Sequence, residues 1–204
     1  MPTLISGSTG VNKITDGTVV NADMADDAIG IAELSATGTA SSSTFLRGDN
    51  TWATAGGDNT PAFLATMSGS QSVANDTETK IAFDTEAFDT DSAFDPSTNY
   101  RFTVPSGEGG KYFISFSLRA GSPADTKKVE VKLLKNGSII SPTWYGEISP
   151  GGGQELSVSW AGVVVLAAAD YIEVYSLHQS GSTETYGDGN SQGCHFAGYK
   201  LIGV

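Results

Sequence analysis

Five acidic side chains lie within twelve consecutive residues that contain no lysine or arginine: Asp84, Glu86, Asp89, Asp91 and Asp95. Clustered carboxylate oxygens suit a hard cation such as Ca²⁺, which takes about six to eight oxygen ligands. The Asp89-x-Asp91 pair, however, lacks the downstream glycine and glutamate of an EF-hand loop. We therefore favour a solvated acidic loop and keep a calcium site as the alternative; no other cofactor is indicated.

Groups that carry out catalysis are scarce. The chain has two histidines, His178 and His195, and one cysteine, Cys194. Both histidines fall in predicted strands, and there is no Walker loop for phosphate binding. A Ser–His–Asp set can assemble in space from any sequence order, but nothing specific indicates one. We predict structural histidines, a buried and unreactive thiol, and no enzymatic activity.

Aromatic side chains near strand ends and loops are the better candidates for ligand recognition. Trp144 and Tyr145 follow Pro142, and Tyr186 lies within residues 180–193, a stretch rich in Gly, Ser and Thr. Binding residues concentrate on loops that a rigid scaffold holds, and Trp and Tyr are enriched at interface hot spots. We predict that these three residues contact a ligand, with packing in the core or in a subunit interface as the alternative for Trp144 and Tyr145.

The charge and hydropathy of the chain exclude two classes of partner. The net charge is −12 and the pI is about 4.3, so nucleic-acid phosphates would be repelled. No apolar run approaches the roughly 20 residues of a membrane span. We expect neither nucleic-acid binding nor membrane insertion.

From residue 60 onward the pattern is that of an antiparallel all-β sandwich. Apolar and polar residues alternate, as in half-buried strands, and Asn136-Gly137 is a strong type I′ hairpin signal. The predicted strands cover residues 61–67, 79–84, 100–104, 111–118, 128–135, 138–146, 155–166, 171–178 and 194–204. Residues 180–193 are predicted to form a long surface loop.

One strand, residues 111–118, carries aromatic residues on both faces. Tyr112, Ile114 and Phe116 share one face, whereas Phe113 lies on the opposite face. A single copy of the chain would leave Phe113 in water. We therefore predict that Phe113 lies in an interface between copies of the chain.

Residues 1–57 differ from the rest and are treated as a separate stem, with 58–204 as the second domain. The stem is too poor in aromatics to bury much apolar area by itself. Met24, Ala28 and Ile31 form one narrow stripe of a predicted short helix, which suits a seam between identical chains. Phe45 and Trp52 flank a predicted turn. We predict that Met24, Ile31, Phe45 and Trp52 also lie in the interface.

The segment from Pro61 to Ile202 resembles the globular jelly-roll domain of complement component 1q and its relatives of the tumour-necrosis-factor type. The runs that carry this resemblance are 61–65, 102–105 after Phe94, 109–113, 131–137, 170–174 and 196–202. The resemblance implies a jelly-roll head and a homotrimer. The collagen-like Gly-X-Y tract of complement-type animal proteins is missing.

Residues 16–23 and 45–53 are similar to stem segments of bacteriophage tail fibres and other virion appendages. This similarity implies an intertwined trimeric stem, contacts with other virion proteins through residues 1–57, and a location on the virion. Our first hypothesis is a phage fibre or spike whose head binds a glycan or protein on the host surface. The alternatives are a trimeric capsid or tail decoration protein and a soluble calcium-dependent lectin-like module.

Overall fold

The computed structural model describes residues 30, 34–54, 59–120, 128–140, 156–187 and 193–202, and the backbone of 144–147. Within these residues the regular secondary structure consists of β-strands only. The chain divides into two units, Met1–Gly56 and Gly57–Val204. The predicted short helix with Met24 and Ile31 lies outside the described residues.

In the first unit a small hairpin joins β1 (Thr44–Leu46) to β2 (Trp52–Thr54). The turn between them places Asn50 at a φ of 62°, and the Thr51 N–H donates to Asp49 Oδ1 at 3.1 Å. The side chain of Phe45 is 46% exposed. Two strands of three residues are marginally stable by themselves in water, so this hairpin needs further packing.

The second unit contains fourteen strands within the described residues. They are β3 (Ala62–Thr66), β4 (Gln71–Val73), β5 (Thr79–Lys80), β6 (Thr85–Asp89), β7 (Phe94–Asp95), β8 (Arg101–Thr103), β9 (Gly110–Ala120), β10 (Lys128–Lys135), β11 (Ser138–Ile139), β12 (Trp144–Glu147), β13 (Leu156–Leu166), β14 (Tyr171–His178), β15 (Glu184–Tyr186) and β16 (His195–Lys200).

Two antiparallel sheets form the body of this unit. One has five strands in the order β13-β9-β16-β3-β6. The other has the order β11-β10-β14-β8-β7, with β12 also paired to β10 and β5 to β14; β15 and β4 form a separate pair. Strands distant in sequence are neighbours in both large sheets, as in a jelly roll. This confirms the predicted all-β antiparallel sandwich.

A cluster of stacked phenylalanines joins the two large sheets. The ring of Phe63 on β3 lies 4.7 Å from Phe102 and 5.2 Å from Phe94, which belong to the opposite sheet. Phe196 meets the Phe63 ring edge-on at 5.0 Å. Such aromatic pairs contribute about 0.5–1.5 kcal/mol beyond the burial of their area, and all four rings are buried.

The predicted Asn136-Gly137 hairpin is confirmed. Both residues have positive φ, 51° and 76°, and the turn joins β10 to β11 through the pair Lys135 and Ser138. The Asn136 side chain also donates to Asp170 at 2.7 Å and accepts from the Tyr171 N–H at 2.9 Å. The hairpin is thereby tied to the loop before β14.

Two predicted strands are wrong in extent because their backbone donors are used differently. The strand predicted over 79–84 ends at Lys80, since the Ala82 N–H donates to the Gln71 side chain at 2.9 Å. The strand predicted over 138–146 is two strands, β11 and β12, which both pair with β10.

The loop predicted over 180–193 is also wrong in part, because it contains strand β15. Its residues Glu184–Tyr186 pair with β4 rather than extending into water.

Gly198 in β16 has no side chain and thereby leaves room for the core residues Ile114 and Phe63. A Cβ atom there would lie 2.5 Å from Ile114 Cδ1 and 3.0 Å from the Phe63 ring. Gly198→Ala therefore overpacks the core and should lower the free energy of unfolding by about 1–3 kcal/mol. Chemical denaturation at one protomer concentration measures this change.

Gly69→Ala is the matched control, because a Cβ at Gly69 would meet no atom within 4 Å. Equal stability of the two variants would contradict the packing of β16 described above.

Candidate functional site

The candidate site is the outer face of the five-stranded sheet, meaning the face turned away from the core. Along β9 the side chains alternate: Tyr112, Ile114, Phe116, Leu118 and Ala120 are buried in the core. The residues between them point to the outer face, because successive side chains of a strand point in opposite directions. The outer face contains Phe113, as predicted from the alternation.

Phe113 is the centre of a row of apolar side chains that crosses the sheet. It pairs with Val163 on β13 and with Tyr199 on β16, and Tyr199 pairs with Ala62. The Phe113 and Tyr199 rings are 5.4 Å apart. Although Phe113 is half-buried by these neighbours, Val163 remains 56% exposed and Tyr199 37% exposed.

A second row crosses the sheet next to the first. It runs from Ala161 through Ser115, Ala197 and Leu64 to Phe88 on the edge strand β6. The Phe88 side chain is 49% exposed. The row therefore begins with small side chains at the β13 edge and ends with a large exposed ring at the β6 edge.

Small side chains leave an open depression on the β13 side of the outer face. Its volume is about 440 Å³, and its rim includes Ser115, Ser117, Ser159, Ala161 and His195. Partial burial lowers the pKa of His195 below its usual value, which favours the neutral imidazole. The depression is thus uncharged and lined by small polar and apolar groups.

The outer face of the other large sheet is of a different kind. There Lys132 lies 3.1 Å from Glu78 and 3.3 Å from Glu130, and Lys80 pairs with Glu173. Burial raises the pKa of Glu130, but hydrogen bonds from Lys128 and Lys132 outweigh it and lower the pKa overall. These charges neutralise one another within one subunit.

No charged side chain occurs in the rows of Phe113 and Ser115 or in the next row, which runs Ser159, Ser117, His195 and Thr66. Lys111 and Arg119 lie at the two ends of this surface along β9. In a chain in which 17% of the residues are charged, such a surface resembles the core of a protein interface, where Lys, Glu and Asp are depleted.

Sequence reasoning identified Phe113 but missed Val163, Val165, Tyr199 and Phe88. The local signal existed for the valines, because Val163 and Val165 alternate along β13 with the residues that face the core. Val163 and Tyr199 lie beside Phe113 because β9 pairs with β13 and with β16, at separations of about 50 and 90 residues in the sequence. Local sequence patterns do not reveal such pairing.

The other predicted interface residues do not lie on this face. Phe45 and Trp52 belong to the hairpin of the first unit. Met24 and Ile31 lie outside the described residues. Their contacts with other copies stay predictions.

The prediction that Tyr186 is exposed for a ligand is wrong. Its ring is fully buried, and its hydroxyl lies 3.3 Å from Ser176 Oγ. Burial raises the pKa of Tyr186 to about 12. Trp144 and Tyr145 belong to strand β12, opposite Val131 and Glu130, and their role in ligand binding stays a prediction.

Four of the five acidic residues of the predicted calcium site accept hydrogen bonds from separate backbone or hydroxyl donors. Asp84 accepts from the backbone N–H and the hydroxyl of Ser68, both at 2.6 Å. Asp89 accepts from the Phe94 N–H at 2.7 Å, and Asp91 accepts from the Thr90 hydroxyl at 2.6 Å. Glu86 is exposed on β6.

The fifth residue, Asp95, caps the turn that follows β7. It accepts from the N–H groups of Ser97, Thr98 and Asn99 at 2.9–3.1 Å. Hydrogen bonds from the backbone of Thr98 and Ser97 lower its pKa strongly. Among the described residues no three Asp, Glu, His or Cys side chains are grouped so as to hold a metal ion.

The two histidines and the cysteine have different surroundings. His178 is buried, and its Nε2–H donates to the Val73 carbonyl at 2.8 Å. Cys194 is buried and accepts from the Arg119 N–H at 3.2 Å. The predicted burial of the thiol is confirmed. The structural role of the two histidines stays a prediction, with His178 buried in the second unit and His195 on the outer face.

These contacts predict that Asp95 stabilises the fold without calcium. Asp95→Ala removes the cap of the turn and should cost about 1 kcal/mol, as for a typical lost hydrogen-bonding group. Thermal unfolding should show the same loss in EDTA and with added CaCl₂. The control is Glu86→Ala, a surface change expected to stay within about 0.5 kcal/mol. A calcium-dependent rise in the melting temperature that Asp95→Ala abolishes would instead establish the metal site.

Comparison with solved structures shows which known folds the second unit resembles. No family model and no curated protein matches the chain. Among solved structures, the globular domain of a zebrafish complement 1qA protein superimposes with a TM-score of 0.52 and 17% identity, over 70% of this chain and 98% of that one. The Eiger TNF of S. frugiperda gives a TM-score of 0.50 and 14% identity, over 70% and 93%.

In the part of the chain that the structure describes, we find no helix with the length and hydropathy of a membrane span. The second unit is an antiparallel β-sandwich with the jelly-roll fold of the complement 1q globular domain and the tumour-necrosis-factor proteins.

Proposed function

We propose that the protein is a non-enzymatic attachment protein that functions as a homotrimer, with the outer face of the five-stranded sheet in the subunit interface. The observation that carries this proposal is the apolar row of Phe113, Val163 and Tyr199, which one subunit leaves partly in water. A contiguous exposed apolar surface rimmed by polar residues marks an interaction site. Its lack of charge matches the core of an interface.

A second copy of the same chain is the partner that fits this surface best. The chain carries a net charge of −12, so two copies repel wherever their charged surfaces meet. On the outer face of the five-stranded sheet, two copies can approach without this electrostatic repulsion. The number three comes from the resemblance to the complement 1q and tumour-necrosis-factor proteins, and cyclic symmetry closes such an assembly without leaving adhesive ends.

The finer part of the proposal is that this trimer is a fibre or spike of a bacteriophage virion and binds a glycan or protein on the host surface. The similarity of residues 16–23 and 45–53 to tail-fibre stems supports it. The exposed Phe45 and Leu46 of the β1–β2 hairpin support it as well, because three such hairpins can bury these side chains against one another. Residues 1–57 would then contact other virion proteins.

The assembly state tests the first part of the proposal. Phe113→Asp puts a charge into the interface and should weaken the trimer at least about thirtyfold, the loss typical of a hot-spot residue. Sedimentation velocity should show trimers for the native chain and monomers for the variant. Circular dichroism should show a folded subunit, because Phe113 is not part of the core.

Ile139→Asp is the matched control, because Ile139 is 50% exposed on β11 of the other sheet. This variant should leave the trimer intact. A native chain that sediments as a monomer at micromolar concentration would refute the proposal.

The attachment role is tested on the particle. A gold-labelled antibody against the 58–204 unit should mark the distal end of the tail on purified virions. The trimer should also bind whole host cells or a glycan array, and an excess should reduce adsorption of the phage. Labelling over the whole capsid shell would instead support the decoration protein, and a particle without label would refute a virion location.

A further inference from the structure

The outer face of the five-stranded sheet carries two features of complementary shape at its opposite edges. On the β13 side, Ala161 and Ser115 border the open depression of about 440 Å³. On the β6 side, the Phe88 ring projects and is 49% exposed. A cavity of about 150 Å³ is enough to bind benzene in a protein interior, so the depression has room for a phenyl ring.

Phe88 cannot fill the depression of its own subunit. Ala161 and Phe88 are separated by the strands β9, β16 and β3, which is four steps between neighbouring strands. At about 4.8 Å per step, the two residues lie roughly 19 Å apart. Only the Phe88 of another copy can reach the depression.

The Phe88 ring and one side of the depression lie at the same level along the strands. Ala161 pairs with Ser115, Ser115 with Ala197, Ala197 with Leu64, and Leu64 with Phe88. This is the single cross-strand row described above, with the Phe88 ring at one end. At the other end, Ala161 and Ser115 form one side of the depression, and its other side belongs to the next row, Ser159, Ser117 and His195. A rotation about an axis along the strands keeps this row at a constant height.

Whether an assembly closes into a ring depends on whether its two contacting surfaces lie at the same height along the rotation axis. When one surface of a subunit binds a different surface of the next, the contact gives a ring if there is no translation along the axis and an open filament if there is. Because Ala161 and Ser115, in the row that ends at Phe88, border the depression, the ring of another copy can reach it with little translation. The contact between them is therefore compatible with a closed ring.

The chemistry of the depression also suits an aromatic ring. It is lined by Ala161, Phe116 and Trp160 together with three serines and His195, and none of these residues is an Asp, Glu, Lys or Arg. Transferring a half-exposed phenylalanine out of water stabilises the contact by about 25 cal/mol per Å² of apolar area.

We propose that Phe88 of each copy inserts into the depression beside Ala161 of the next copy and that this level contact closes the trimer. The inference rests on the proposed homotrimer and adds which residues of the two edges meet. It makes the depression a site that one chain alone leaves incomplete.

Engineered disulfides test the contact directly. The double variant Phe88→Cys and Ala161→Cys should form covalent dimers and trimers under oxidising conditions, with the trimer as the largest species on a non-reducing gel. A bridge within one subunit is excluded, because the Cα atoms of a disulfide lie within about 7 Å. The native Cys194 is buried, and each single variant controls for its reaction.

A matched pair tests the level of the contact. Val165 lies on the same strand and face as Ala161 but four residues further along β13, a distance of about 13 Å. The pair Phe88→Cys and Val165→Cys should remain monomeric on the gel. Bridging by this pair in place of the first would show a contact with translation and overturn the proposal.

A double-mutant cycle gives a second measurement that does not require a disulfide. Phe88→Ala removes the ring and Ala161→Trp fills the depression, and both positions are exposed in the subunit. Each change should weaken the trimer at least about thirtyfold. The combined variant should be little worse than Ala161→Trp alone, because both changes remove the same contact.

The outcomes separate this inference from the proposed function. A native trimer without bridging in the first pair, or with additive effects in the cycle, refutes the Phe88 contact and leaves the homotrimer standing. A monomeric native chain refutes both.

Discussion

Strand β9 carries aromatic side chains on both of its faces, and the architecture of the second unit follows from this constraint. Its even-numbered residues from Tyr112 to Ala120 are buried in the sandwich, while Phe113 is turned away from it. Because side chains alternate strictly along a strand, no rotation of β9 can bury both sets within one subunit. Phe113 is therefore left on the outer face, where Val163 and Tyr199 lie beside it.

The interior of the sandwich is closed by a few tightly coupled contacts. Phe63 stacks on Phe94 and Phe102 of the opposite sheet, and the absence of a side chain at Gly198 provides the space for Phe63 and Ile114. Turn contacts outside the core support the same arrangement. Asp95 caps the turn after β7, and Asn136 ties the β10–β11 hairpin to β14.

Charge is distributed unequally between the two outer faces. The outer face of the seven-stranded sheet carries ion pairs within the subunit, Lys80 with Glu173 and Lys132 with Glu130. The charged side chains of that face therefore have partners in one subunit. The five-stranded sheet has no such pairs in its central rows and keeps exposed valines and aromatic rings there. The two outer faces of the sandwich therefore differ in charge: ion pairs cover one, and the central rows of the other carry no charged side chain.

The sequence by itself determined the all-β class, the Asn136-Gly137 hairpin, the buried Cys194 and the outward position of Phe113. Each of these follows from short-range rules: alternation along a strand, the backbone freedom of Asn and Gly, or the low polarity of a thiol. The burial of Tyr186 could not be predicted from such rules. Its surroundings of Gly, Ser and Thr indicate a loop, yet pairing of β15 with β4 buries it.

Only the tertiary structure decided which side chains share a surface. The row from Ala161 to Phe88 joins five strands that are separate in the sequence. The carboxylates of Asp84, Asp89 and Asp95, close in sequence, accept hydrogen bonds from different donors and do not converge. The reason is physical: strand register and sheet order are set by burial of the whole core, and no local segment contains that information.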